Sequence, residues 1–209
     1  MKIQLLLFIC FFQTLAFSQT HLDNQVSIRF PGKTDTLQQN SKGVSLKAFY
    51  HNTTDDSFVV MKIEGIPEPF TLAKNQSDLE SFYRTISGDM VKSMAKKNLV
   101  KSSEKLIKFK NYFTYKIDFS DKLVKKKNGE CMILFVNQIA YFFIYSKVDK
   151  YSEARKNSFF SSIVVQENLA QIEPEYDYHS DIMKILKDGL FLILIIILLR
   201  MAKKRKASS

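Results

Sequence analysis

The sequence predicts an exported α+β domain: an antiparallel β-sheet meander with one long and one short helix packed on it, followed by a C-terminal transmembrane helix. Three observations carry that reading. Several stretches alternate apolar and polar residues with the period of a half-buried strand. One segment repeats apolar residues at helical spacing behind a capping signal. Two continuous apolar segments bracket the chain, one near each end. The expected layout is a signal peptide at residues 1–18 and an extracytoplasmic domain at 19–166. A linker at 167–181, a spanning helix at 182–201 and a basic cytoplasmic tail at 202–209 follow.

The N-terminal segment has the three parts of a secretory signal. Lys2 supplies the positive region, residues 5–12 a compact apolar stretch, and Ala16-Phe17-Ser18 a small-x-small site. Cleavage is therefore expected between Ser18 and Gln19. The run is too short for an ordinary transmembrane helix and lacks a basic stop-transfer flank.

At the other end, Leu190, Phe191, Leu192, Ile193, Leu194, Ile195, Ile196, Ile197, Leu198 and Leu199 are apolar without interruption. With Gly189 they span only about 16 Å as a helix, whereas the hydrocarbon core is about 30 Å thick. Extending the helix back to Ile182 gives about 27 Å, but brings in Lys184, Lys187 and Asp188. Those three fall on one stripe near one end, where lysines snorkel to the interface. The alternative, a buried amphipathic helix, has to explain a segment that is apolar all round. Arg200, Lys203, Lys204, Arg205 and Lys206 then belong on the cytoplasmic side. The expected partners are the lipid bilayer and, through the charged stripe, another membrane protein or a second copy of the chain.

The net charge of +10 is concentrated at these ends, and residues 19–181 are close to neutral. That balance argues against nucleic acid as a partner. Beyond the signal, Cys131 is the sole cysteine, so no internal disulfide is expected; it opens an apolar run and reads as a small buried hydrophobe.

Within the domain, Val26, Ile28 and Phe30 mark a first strand closed by Pro31-Gly32. Val44, Leu46, Ala48 and Tyr50 mark a second, and Val59, Met61 and Ile63 a third. Ser77 and Glu80 form a capping box, after which Leu79, Phe82, Tyr83, Ile86, Met90 and Met94 share one helix stripe. Phe113, Tyr115, Ile117 and Phe119 make the clearest alternation. Asn128-Gly129 has the composition of a tight hairpin turn. Residues 132–136 read as a strand covered on both faces, Asn137-Gln138 as a turn, and residues 139–145 as the next strand. A short helix over residues 150–159 and a last strand at 162–165 complete the domain. Beyond them the linker shows no buried face.

The Phe30-Pro31-Gly32 step, the single long helix, Tyr112-x-x-Tyr115-x-Ile117 and the closing Phe159-Phe160-Ser161-Ser162-Ile163 resemble the PsbP-like α/β/α sandwich group. That group includes photosynthetic extrinsic subunits, nuclear-import Mog proteins and many bacterial envelope proteins. The resemblance implies an antiparallel sheet with helices on its faces and a binding or assembly role rather than catalysis. It carries over no functional residue, and a membrane anchor departs from the soluble members.

A reactive site is not apparent. His21 lies near the predicted mature N-terminus and His179 in the linker. His51 stands beside Asn52, Thr53, Thr54, Asp55 and Asp56, a group that reads first as a solvated turn and second as an oxygen-imidazole cation site. No H-E-x-x-H, Cys-x-x-Cys pair, phosphate-cradling glycine loop or G-x-S-x-G is present. No catalytic residue, metal or other cofactor is assigned. Lys122, Lys125, Lys126 and Lys127 form a basic hairpin tip, either a solvated edge or a contact for anionic lipid. The sequence thus points to a membrane-anchored extracytoplasmic binding or assembly module of the cell envelope. An envelope enzyme built from dispersed acids and His51 is the alternative.

Overall fold

The computed structural model describes residues 19–41, 43–66, 72–147 and 150–172. The predicted signal segment through Ser18, the predicted spanning helix and basic tail, and the predicted linker from residue 173 on lie outside the described residues. No helix among the described residues is long and apolar enough to cross a membrane.

Among the described residues, ten strands and two helices follow in the order β1 (Gln19–His21), β2 (Val26–Arg29), β3 (Asp35–Ser41), β4 (Val44–Asn52), β5 (Asp56–Glu64), α1 (Gln76–Lys96), β6 (Leu99–Phe109), β7 (Tyr112–Asp121), β8 (Lys127–Val136), β9 (Ile139–Lys147), α2 (Glu153–Ser161) and β10 (Val164–Val165). Seven strands form one sheet in the order β3-β4-β5-β9-β8-β7-β6, every pairing antiparallel. This is two meanders rather than the single one expected. The β3-β4-β5 run and the β6-β7-β8-β9 run are joined through α1, and β9 closes against β5. A second sheet, β1-β2-β10, has three short strands.

Both faces of the large sheet are covered. Met132, Leu134, Val136, Tyr141, Phe143 and Tyr145 point to the side of the small sheet and α2, where they meet Val26, Ile28, Phe30, Phe159 and Ile163. Cys131, Ile133, Phe135, Phe142 and Ile144 point the other way, onto Leu79, Phe82 and Tyr83 of α1. Alternate residues of β8 and β9 thus enter two different cores, which is why both strands read as unbroken apolar runs.

Local signals are displaced more often than they are absent. Helix α1 begins two residues before the expected box: the Asn75 side chain accepts from the Asp78 amide at 3.0 Å, while Glu80 pairs with Arg84 at 2.8 Å. The hairpin between β8 and β9 turns at Asn137 and Gln138 as expected, both at positive φ. Asn128-Gly129 is not a turn. It lies inside β8, with Gly129 opposite Phe119 next to a register shift. The chain reverses instead over residues 122–126, because the Asp121 carboxylate accepts from the amides of Leu123 and Val124 at 2.8 Å each. Lys127 therefore leaves the tip, pairing with Glu130 at 2.6 Å and Asp118 at 2.9 Å beside the Tyr151 ring.

Residues 167–172, expected in the linker, pack on the domain together with Gln166. The Tyr112 hydroxyl donates to the Gln166 carbonyl at 2.6 Å, and Asn137 and Ala170 bond to each other twice. Gln171 is buried; its amide donates to the Phe113 and Phe135 carbonyls and accepts from the Phe113 amide. These contacts are polar and reach residues far away in sequence, so they leave no hydrophobic period.

Asp23 ties the small sheet to the large one. Its carboxylate accepts from the amides of Gln25 and Val26 and from the Tyr141 hydroxyl, and pairs with Lys62 at 3.0 Å. Burial pushes its pKa up, but these donors outweigh burial and hold it below the ordinary 3.8. A depressed carboxylate contributes stability above its unfolded pKa and loses it as pH falls through the folded value. The stability gap between wild type and Asp23→Asn, read from urea unfolding, is therefore expected to narrow from about pH 5 to about pH 2. A gap constant over that range would mean that the carboxylate charge contributes nothing.

Candidate functional site

A cleft of about 770 Å³ opens between the small sheet, the end of β4 and helix α2. Its floor is aromatic: Phe159 meets Phe30 at 5.5 Å and Phe58 at 5.2 Å between ring centroids, both edge-on. Phe30 is there because β2 alternates into the core until Pro31 ends the strand. Phe159 is there because it lies on the buried face of α2. Two of the motifs that carried the family resemblance, Phe30-Pro31-Gly32 and Phe159-Phe160-Ser161-Ser162-Ile163, thus contribute residues to the walls of one cleft.

The rim is polar and cationic. Arg29, His51 and Arg155 line it with Gln19, Thr53, Ser158, Ser161 and Ser162, and no carboxylate is among the lining residues. Among the described residues Arg29 forms no ion pair. Arg155 is held from behind by Asp56, whose side chain has no exposed surface; Asp56 also takes the Tyr145 hydroxyl at 2.8 Å and faces Lys147 at 3.5 Å. Burial, then the Asp56 charge, pushes the Tyr145 phenol up to about 12, so it stays a donor.

The histidine ring is fixed as well. His51 Nδ1 stands 2.8 Å from the Lys33 carbonyl, which can only accept, so Nδ1 carries a proton and the ring orientation is set. The ring also lies against Gly32, where a Cβ would come within 2.5 Å of Cε1. The serine hydroxyls are largely committed to backbone. Ser161 Oγ donates to the Ser158 carbonyl, and Ser162 Oγ accepts from the Arg29 amide while facing the Phe159 carbonyl at 2.7 Å. The cleft shows no nucleophile paired with a base.

The group suggested around His51 does not assemble. Asn52 accepts from Ser57, Thr53 Oγ1 takes the Asp56 amide, and Asp56 turns inward to Arg155 while His51 turns to Lys33. No cluster of three or more His, Cys, Asp or Glu residues among the described residues is placed to hold a metal ion. Cys131 is fully buried, and burial followed by the neighbouring Glu130 charge pushes its thiol well up. Gln19 at the predicted cleavage point heads β1, where its amide donates to Ser27 at 2.6 Å. His179, the predicted anchor residues and the basic C-terminal residues lie outside the described residues. Sequence does not single out Arg29 and Arg155, the cations of the cleft. One ends a four-residue strand and the other opens a helix, positions where arginine is ordinary.

No protein-family model matches this chain, and no curated protein matches it. Among solved structures, the solution structure of cyanobacterial PsbP from Synechocystis sp. PCC 6803 matches with a TM-score of 0.50 at 14% identity, covering 72% of this chain and 92% of that one. A crystal structure from Bacteroides thetaiotaomicron is 14% identical with a TM-score of 0.35, over 69% of this chain and 46% of that one. The second is too distant to bear on the argument. The first supports the fold alone: this chain has a PsbP-like fold.

Proposed function

We propose that this chain is a membrane-anchored extracytoplasmic binding or assembly module of the cell envelope, and that the cleft beside His51 receives an anionic group of its ligand. The observation that carries the reading is the composition of that cleft. Two arginines and a fixed imidazole surround an aromatic floor with no carboxylate among the lining residues. Such a site offers charge-assisted hydrogen bonds and apolar contact, and holds no activated nucleophile. The alternative, an enzyme using His51 with dispersed acids, has no such support, because no acid faces the imidazole in the cleft.

The address rests on the two apolar ends. Cleavage after Ser18, a helix over residues 182–201 and a cytoplasmic tail from 202 would leave the domain outside, tethered to the bilayer. Mass spectrometry of the purified protein tests the first, and resistance to alkaline carbonate extraction tests the second.

Binding is tested with a photoreactive residue at Ser158 in the full chain, expressed in native membranes. Arg29→Glu is expected to lower the crosslinked yield roughly tenfold, the worth of one charge-assisted hydrogen bond. The fold should be unaffected, since Arg29 is exposed. Equal yields from Arg29→Glu, or from a probe at Gln39 on the far sheet edge, would rule the cleft out as the binding surface.

A further inference from the structure

The β7–β8 turn combines two features that a solvated loop has no need to combine. Leu123 is 82% exposed and Val124 62%, and they are adjacent at the tip. Lys122, Lys125 and Lys126 flank them, all exposed. The loop is built rather than loose: Asp121 accepts from the Leu123 and Val124 amides, and its carbonyl takes the Lys125 amide at 3.0 Å. The acid of the segment is thereby turned into the loop, leaving lysines and apolar side chains outermost. The Lys122 amide also donates to the Asn98 carbonyl at 2.8 Å. That bond puts the tip beside the end of α1, where Lys96 and Lys97 are exposed. Among the described residues none of these five lysines forms an ion pair.

We propose that this tip is a membrane contact. Leu123 and Val124 enter the headgroup boundary of a bilayer containing anionic lipid, and the surrounding lysines pair with its phosphates. A protein surface would also accept apolar side chains, but a ring of unpaired cations around a small apolar point matches an anionic bilayer best. Each lysine near such a surface contributes roughly a fivefold gain in partitioning, so the three flanking lysines together contribute on the order of a hundredfold. The proposal is independent of the cleft and of whether residues 182–201 span the bilayer.

The chain contains no tryptophan, so Leu123→Trp supplies a single reporter at a position too exposed to disturb the core. The full chain carrying it is mixed with phosphatidylcholine vesicles, with and without phosphatidylglycerol. The expected result is a blue-shifted emission, quenched by brominated acyl chains, only where phosphatidylglycerol is present. The shift should be reversed by high salt. Replacing Lys122, Lys125 and Lys126 by glutamate in the same background should reduce the bound-to-free ratio by more than about a hundredfold, since each glutamate also repels the anionic surface. A Leu37→Trp reporter on the exposed β3 edge should stay unshifted. Four results would each overturn the proposal: no shift from the Leu123→Trp reporter, a shift that survives the glutamate substitutions, equal quenching of the Leu37→Trp reporter, or a shift that appears only with membrane proteins and not with lipid.

Discussion

Replacing Tyr83 by alanine is expected to remove about 4–5 kcal/mol of stability, a large share of what a domain of this size possesses. Tyr83 is fully buried between α1 and the sheet, its ring stacked on Tyr115 at 5.8 Å. Its hydroxyl does a second job. The β7–β8 ladder stops at Thr114 opposite Leu134, which leaves Phe113 and Phe135 without each other as partners. Tyr83 donates to the Phe113 carbonyl at 2.9 Å and accepts from the Phe135 amide at 3.0 Å, with the Gln171 amide completing the bridge. Two side chains thus continue a ladder that the backbone abandons. Tyr83→Phe keeps the ring and loses the bridge, so about 1–3 kcal/mol is expected from the stranded groups. Urea unfolding of the two variants separates the packing from the polar contribution. If Tyr83→Phe is as stable as wild type, water or Gln171 alone satisfies those groups and the account of the bridge is wrong.

Asp56→Ala is expected to cost about 3 kcal/mol, the lower end of the range for breaking a buried ion pair. The lower end applies because Arg155 is 57% exposed and can be resolvated, whereas Lys147 at 14% and the Tyr145 hydroxyl cannot easily be. The effect should reach the cleft too. Without Asp56 the Arg155 guanidinium is no longer held against the end of β5, so crosslinking from Ser158 should fall along with stability. Asp56→Asn retains an acceptor for Tyr145 and should lose less. Equal losses in the two variants, measured by denaturant titration, would show that the charge is irrelevant and only the shape matters.

Much of this fold is legible in the sequence because burial imposes a period on a strand. β7 alternates cleanly, since Tyr115, Ile117 and Phe119 enter the core under α1 while the interleaved Lys116 and Asp118 stay on the polar face. The apolar runs in β8 and β9 announce strands covered twice. The strands with no readable period, β3 and β6, lie at the two sheet edges. All seven residues of β3 are exposed, so nothing selects its side chains for alternation, and β6 carries a register shift between Lys101 and Ser103 that breaks its period. Turns are legible only where the backbone demands them. Asn137 and Gln138 both need positive φ. Asn128-Gly129 offers the same chemistry, but the Asp121 side chain places the reversal earlier.

Element types, the α+β class, the motifs of the PsbP-like resemblance and the expectation of an anchored, exported domain all come from the residue pattern without reference to the folded chain. They do so because propensity, capping and hydrophobic period are local quantities. Folding was needed to settle which strands are neighbours, that residues 167–172 belong to the domain, and that Arg29, His51 and Arg155 share a cleft. Those outcomes depend on contacts between residues far apart in sequence. Arg155 meets Asp56, and Gln171 meets Tyr83. No local period encodes such meetings, because the partners are chosen by how the two cores close over the sheet.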